Sequence, residues 1–208
     1  MKIAVLALQG AFAEHARALE LLGAEAYEIR QLKDFTTQKW DGLVIPGGES
    51  TVMGKLLDDL GLSEPIADAL RDGLPVLGTC AGLILLSKSI LRHNQALADT
   101  VSQKEYYFPV LDATVQRNAY GRQLGSFQVV EKFRTTKGEV PIPMVFIRGP
   151  IIAEVGASVE ILARVYDRVV AVRQGAVMAT AFHPELTDNL TVHQEFIANI
   201  KQHHQVNK

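Results

Sequence analysis

Apolar positions along the chain alternate between short continuous runs and helical spacing. Lys2–Leu8 is an unbroken apolar run, the pattern of a strand covered on both faces. Phe12, Ala16, Leu19 and Leu22 then recur at helical intervals, which predicts a helix over Ala11–Leu22 capped at Gly23. Ala26–Arg30 and Gly42–Ile45 read as strands, and Thr51–Leu60 and Ser63–Arg71 as helices. Pro75–Gly78 reads as a short strand running directly into a helix, Ala81–Lys88. This alternation argues for an α/β fold with a parallel sheet and helices on both faces.

The second half changes character. Asp112–Gln116, Ser126–Val130, Val140–Ile147, Glu160–Tyr166, Val169–Arg173 and Val177–Ala181 read as strands, and Val192–His203 as a closing helix. Tyr166-Asp167-Arg168 and Gln174-Gly175-Ala176 have the composition of turns between antiparallel neighbours. Leu91–Pro109 has weak periodicity and yields no element. No repeat and no Pro/Gly/Ser linker divides the chain, so a single domain over 1–208 is expected.

Composition narrows the classes of function. Hydrophobic residues make up 48% and charged residues 21%, with 21 basic against 23 acidic side chains. That balance carries neither a nucleic-acid footprint nor a polybasic membrane patch. No apolar run is long enough to span a bilayer. The apolar start is broken by Gln9-Gly10 and then Glu14, His15 and Arg17, too early for a signal sequence. A single cysteine, Cys80, makes no intrachain disulfide. A cytosolic location is expected.

On composition alone Cys80 is an inert core residue. Its neighbours overturn that reading. Gly78-Thr79-Cys80-Ala81-Gly82 lies between an apolar strand and an apolar helix, the context of a nucleophile elbow with Cys in place of Ser. The turn is so sharp that side chains two residues either side of the nucleophile would collide, and both positions are glycine. A thiol at a helix N-terminus near a histidine is stabilised as thiolate, and the Ala81 N–H is placed to meet an oxyanion. A thiolate nucleophile needs a base, and the base an orienter. Phe182-His183-Pro184-Glu185 offers both: in an extended segment His183 and Glu185 face the same way. His15, His93, His193, His203 and His204 read as surface or satisfied residues, without partners for a metal site.

Cys80 in Gly-x-Cys-x-Gly with the His183-Pro184-Glu185 triplet resembles the class I, or triad, glutamine amidotransferases. Leu8-Gln9-Gly10-Ala11, Pro46-Gly47-Gly48-Glu49-Ser50-Thr51, the Gln116–Gln123 segment with Arg117 and Arg122, Phe146-Ile147-Arg148 and Phe182–Thr187 are similar to the glutaminase subunits of pyridoxal 5'-phosphate synthases almost from end to end. The resemblance implies the flavodoxin-like three-layer fold of that class, mostly parallel with antiparallel strands in the C-terminal half. It implies that Cys80, His183 and Glu185 hydrolyse L-glutamine through a glutamyl thioester. Gly47, Gly48, Glu49, Arg117, Ile147 and Arg148 would bind glutamine. Gly48 and Ala81, supported by Gln9, would form the oxyanion hole. No cofactor and no metal are implied, and the partner would be a (β/α)8-barrel synthase subunit. Other amidotransferases, serving histidine or purine synthesis, and a non-catalytic regulatory subunit on the same fold are the competing readings. Two departures stand out: Leu91–Pro109 is longer than the family norm and lacks its glycine-rich connection, and Gly125 replaces a more usual acidic residue.

Overall fold

The most apolar runs become the most deeply buried strands. In the computed structural model, which describes residues 1–91, 108–117 and 126–206, β1 (Lys2–Leu6), β3 (Gly42–Ile45) and β4 (Val76–Thr79) are buried along almost their whole length. Their side chains have core on both faces, which explains why they lack alternation. β2 (Glu25–Ile29) lies outside β1 at the sheet edge and carries the more polar pattern.

Among the described residues the chain builds one 12-stranded sheet with a main path β2-β1-β3-β4-β12-β11-β10-β7-β8. From β2 to β12 (Val177–Thr180) every neighbouring pair is parallel. From there β11 (Arg168–Gln174), β10 (Glu160–Val165), β7 (Ser126–Thr135) and β8 (Gly138–Ile147) continue antiparallel. A side branch of β5 (Ser87–Leu91), β6 (Leu111–Gln116) and β9 (Ile151–Val155) joins through β9 to β11. This is the α/β architecture expected, parallel first and antiparallel in the C-terminal half. The turn at Tyr166-Asp167 has φ of 48° and 63°, the double left-handed geometry that matches hairpin twist.

The helices are α1 (Phe12–Leu21), α2 (Leu32–Thr36), α3 (Ser50–Asp59), α4 (Ser63–Arg71), α5 (Ala81–Leu86) and α6 (Thr191–Val206). Gly42 and Ser63–Arg71 begin and end elements where the pattern places them. Three differences have local causes. The helix expected over Ala81–Lys88 stops at Leu86, where the Ser87 hydroxyl donates to the Leu83 carbonyl (2.7 Å) and Ser87 turns extended, starting β5. α2 is one short turn held by Asp34 accepting from the Arg30 and Gln31 N–H groups, too brief to show periodicity. β9 has no clear alternation, because it is wedged irregularly between β6 and β11. Most of Leu91–Pro109, the Asn118–Gln123 part of the arginine motif and Gly125 lie outside the described residues.

The parallel half decides where chemistry sits. β3, β4 and β12 are in direct register, Ile45 beside Gly78 and Thr79 beside Thr180. Their C-terminal ends therefore release Pro46–Glu49, Cys80 and Ala181–Glu185 at one edge of the sheet, where ligands bind in open α/β sheets.

Candidate active site

Cys80 occupies the abrupt junction of β4 and α5 with φ of 50° and ψ of −98°. Left-handed backbone is uncommon for a residue with a side chain and costs about 1–3 kcal/mol. The surroundings impose it: the Cys80 N–H donates to the Thr180 carbonyl (2.8 Å), while α5 starts at the next residue. Glycine is required on both sides. A Cβ on Gly78 would stand 2.8 Å from the Gly82 carbonyl carbon, and one on Gly82 would overlap the Ile45 backbone oxygen. As the first residue of α5, Ala81 has an N–H with no partner inside the helix.

His183 reaches Cys80 from the next strand. After β12 the chain is pinned twice, by Ala181 N–H to Val170 O and His183 N–H to Val145 O, both 2.8 Å. The His183 imidazole stands beside the Cys80 side chain, the two flanking Gly47 at the cavity wall. Its Nδ1 donates to Oε1 of Glu185 at 2.7 Å. Glu185 does face His183, but the reason differs from the extended spacing expected. The strand ends at Thr180, and Pro184–Leu186 forms a single 3-10 turn that folds the carboxylate back under the ring. Proline suits the first position of such a turn, where its missing N–H has no partner to lose.

The electrostatics fit a base held ready to carry a proton. Burial alone pushes the His183 imidazole down, but the hydrogen bonds and charges of Cys80 and Glu185 outweigh it and raise it to about 10. Burial alone pushes the Glu185 carboxyl up. His15 and His183, with a backbone N–H, outweigh that and hold it below the usual carboxylate range.

Cys80 and His183 open onto a cavity of about 540 Å³. Gln9, Gly47, Gly48, Glu49, Arg117, Ile147 and Arg148, the binding residues expected from the sequence, all line it. Gly47 is packed against both Cys80 and His183; a Cβ there would overlap the His183 ring and stand 3.3 Å from the Cys80 Cβ. Gln9 accepts from the Glu49 N–H through Oε1 (2.8 Å), which leaves its amide NH2 as its donor. Glu49 caps α3, accepting from the Val52 N–H (2.8 Å) and pairing with Arg117 (2.7 Å). Burial opposes this ionised carboxylate, but the Val52 and Thr51 hydrogen bonds and Arg117 lower its pKa. Arg148 follows β8 in left-handed backbone, φ 46°.

The amidotransferase family model matches residues 5–202, almost the whole length of the chain. The chain belongs to the SNO glutamine amidotransferase family. It is 54% identical over 199 residues to the pyridoxal 5'-phosphate synthase subunit PdxT of Haemophilus influenzae (strain PittEE), covering 95% of this chain and 97% of that one. With the PdxT of Streptococcus pneumoniae (strain CGSP14) it shares 53% identity over 207 residues, 99% and 100% of the two chains. A crystal structure of a glutamine amidotransferase superposes with a TM-score of 0.83 at 40% identity, covering 96% of this chain and 98% of that one.

The sequence reading missed what lies behind Cys80, His183 and Glu185. His15 and His193, expected to be surface or satisfied residues, are fully buried and bonded to each other, with His15 against Glu185. A signal was present. His15 lies three residues after Phe12 and four before Leu19, and His193 three before Phe196, so both fall on the apolar stripes of their helices. Ser50, read from the sequence only as part of the Pro46–Thr51 segment, has a buried hydroxyl that lines the cavity without a hydrogen-bond partner among the described residues.

Proposed function

We propose that this chain is the glutamine-hydrolysing subunit of a pyridoxal 5'-phosphate synthase, cutting the side-chain amide of L-glutamine at Cys80 and handing ammonia to a synthase subunit. The observation that carries the reading is the strained Cys80 beside a histidine that a buried glutamate holds at 2.7 Å, at the wall of a cavity sized for an amino acid. The PdxT names of relatives sharing more than half of the sequence support the destination of the ammonia.

The chemistry follows from the geometry. Glutamine lies with its ammonium toward Glu49 and its carboxylate toward Arg117 and Arg148, complementary charges on the cavity wall. Ile147 covers the aliphatic stem. Cys80 Sγ attacks the amide carbon as thiolate, its proton already carried by His183. A C–S bond forms, and the carbonyl electron pair moves onto oxygen. The Ala81 N–H and the Gly47–Gly48 backbone, supported by Gln9, stabilise that oxyanion, each donor worth about 3 kcal/mol. His183 then protonates the nitrogen, the C–N bond breaks, and ammonia leaves. Water, deprotonated by His183, attacks the glutamyl thioester, releasing glutamate and restoring the thiol. Glu185 holds the ring orientation through both proton transfers. The partner is a (β/α)8-barrel synthase subunit that receives the ammonia before it is protonated by solvent.

The test is glutamate release with and without the synthase subunit, for the wild type and Cys80→Ala. Stimulated release lost in Cys80→Ala is expected. Release that persists in Cys80→Ala, or that responds only to a synthase of another pathway, rejects the assignment.

A further inference from the structure

Glu185 is in contact with a second histidine, from α1. Nε2 of His15 lies 3.2 Å from Oε2 of Glu185, the carboxylate oxygen that His183 does not use, and also 3.2 Å from Thr79 Oγ1. Nδ1 of His15 is 2.9 Å from Nε2 of His193 at the start of α6. His15, Thr79 and His193 are all 0% exposed. Oε2 of Glu185 and Nδ1 of His193, at the two ends of this run of contacts, are buried without a hydrogen-bond partner among the described residues.

These contacts select one proton arrangement. If His15 carried its proton on Nδ1, a bare nitrogen lone pair would face a buried carboxylate oxygen at 3.2 Å. With the proton on Nε2, the N–H is bonded to Thr79 Oγ1 and presents its positive end, 3.2 Å away, to Glu185 Oε2. His15 Nδ1 is then an acceptor, so His193 must donate from Nε2. That leaves His193 Nδ1 as a lone pair, the atom found without a partner. Burial pushes the His15 imidazole below its ordinary value despite the attraction of Glu185, and burial likewise takes His193 down to about 3. Both rings are therefore neutral at neutral pH, and one tautomer each suffices to satisfy the chain.

We propose that His15, with its tautomer set by His193, is a positioning residue for the triad: its Nε2–H, shared with Thr79, fixes the second oxygen of Glu185 and so the orientation of His183 toward Cys80. This rests on the triad reading above. A carboxylate bonded at one oxygen alone can rotate; an N–H packed 3.2 Å from the other oxygen opposes that rotation. His15 thus makes Glu185 a fixed orienter while His183 gains and loses its proton.

Two measurements on the full-length chain with its synthase subunit test this. The first compares kcat and KM for glutamine in His15→Leu, His15→Gln and His15→Asn. His15→Leu is expected to lose about 10- to 100-fold in kcat, the range seen when an orienting outer residue is removed, with KM unchanged. Gln carries an amide N–H near the Nε2 position and recovers much of that loss. Asn carries it only near Nδ1 and does not. A His15→Leu enzyme with wild-type kcat, or Gln and Asn variants equally impaired, overturns the proposal. The second needs no variant: nitrogen-15 NMR of the histidine-labelled wild type should show His15 protonated on Nε2 alone, and protonation on Nδ1 alone overturns the proposal even if the Leu variant fails to fold. If Cys80→Ala retains hydrolysis the triad reading itself falls. If Cys80→Ala is inactive while His15→Leu is normal, only the role of His15 falls.

Discussion

Gly47 is the position where one methyl group separates binding from catalysis. A Cβ at Gly47 would overlap Cε1 of His183, stand 3.0 Å from Nδ1 and come within 3.3 Å of the Cys80 Cβ. Unstrained carbon contacts need roughly 3.5–4.0 Å, so the ring must move by about 1 Å. It has little room to do so, because its backbone is tied to Val145 and its Nδ1 to Glu185. The alternative is that the Gly47 loop retreats and takes with it the Gly47–Gly48 backbone proposed to hold the oxyanion. Either movement misplaces a reacting group by about 1 Å, a displacement that costs on the order of 100-fold in rate. Overpacking of this kind lowers stability by about 1–3 kcal/mol, which for a chain of this length is only a few degrees in Tm. Gly47→Ala is therefore expected to fold, shown by circular dichroism, and to lose about 100-fold in kcat in the synthase-stimulated glutaminase assay. A variant within threefold of wild type would refute the packing of Gly47 against His183.

Gly82→Ala places its Cβ onto the Ile45 backbone oxygen, where nothing flexible can yield; it should lose about 3 kcal/mol, read by urea denaturation, and an unchanged midpoint would contradict the elbow geometry. Arg117→Ala removes a guanidinium from the cavity wall; a charge-assisted contact of about 1.5–3 kcal/mol corresponds to a rise of roughly 10- to 150-fold in KM, with kcat less affected. Acid stability follows from His15 and His193, both held below their ordinary values by burial. The folded chain then binds fewer protons than the unfolded one as pH falls from about 6.5 toward 3, so stability drops over that window. His193→Leu should flatten this fall in Tm between pH 6.5 and 4, and an equally steep fall would count against it. His183 acts in the opposite sense: raised to about 10, it adds stability fully present below about 6.5 and lost as pH rises toward 10.

The elbow was legible because its physics is local. Gly78, Cys80 and Gly82 are constrained within five residues, and the strand and helix flanking them announce themselves by apolar runs. Glu185 beside His183 was legible by spacing, although the 3-10 turn that brings it there was not, since one turn leaves no periodic trace. The helix expected over Ala81–Lys88 overran into Ser87 and Lys88 because a short apolar run carries no period that separates helix from strand; a single hydroxyl-to-carbonyl bond ends it at Leu86. His15 and His193 were hidden for a different reason. They stand 178 residues apart, and only the order of strands in the sheet lays α1 and the start of α6 together behind β4 and β12. Neither residue has a sequence neighbour that betrays the other.

The central claim is that glutamine is opened by covalent attack of Cys80. It is tested most directly by intact-mass measurement of the chain, quenched in acid during steady turnover of glutamine with the synthase subunit. The account predicts a glutamyl adduct that maps to Cys80 in the wild type and is absent from Cys80→Ala. Rapid glutamate release with no adduct on Cys80, together with a Cys80→Ala variant that still turns over, would contradict it.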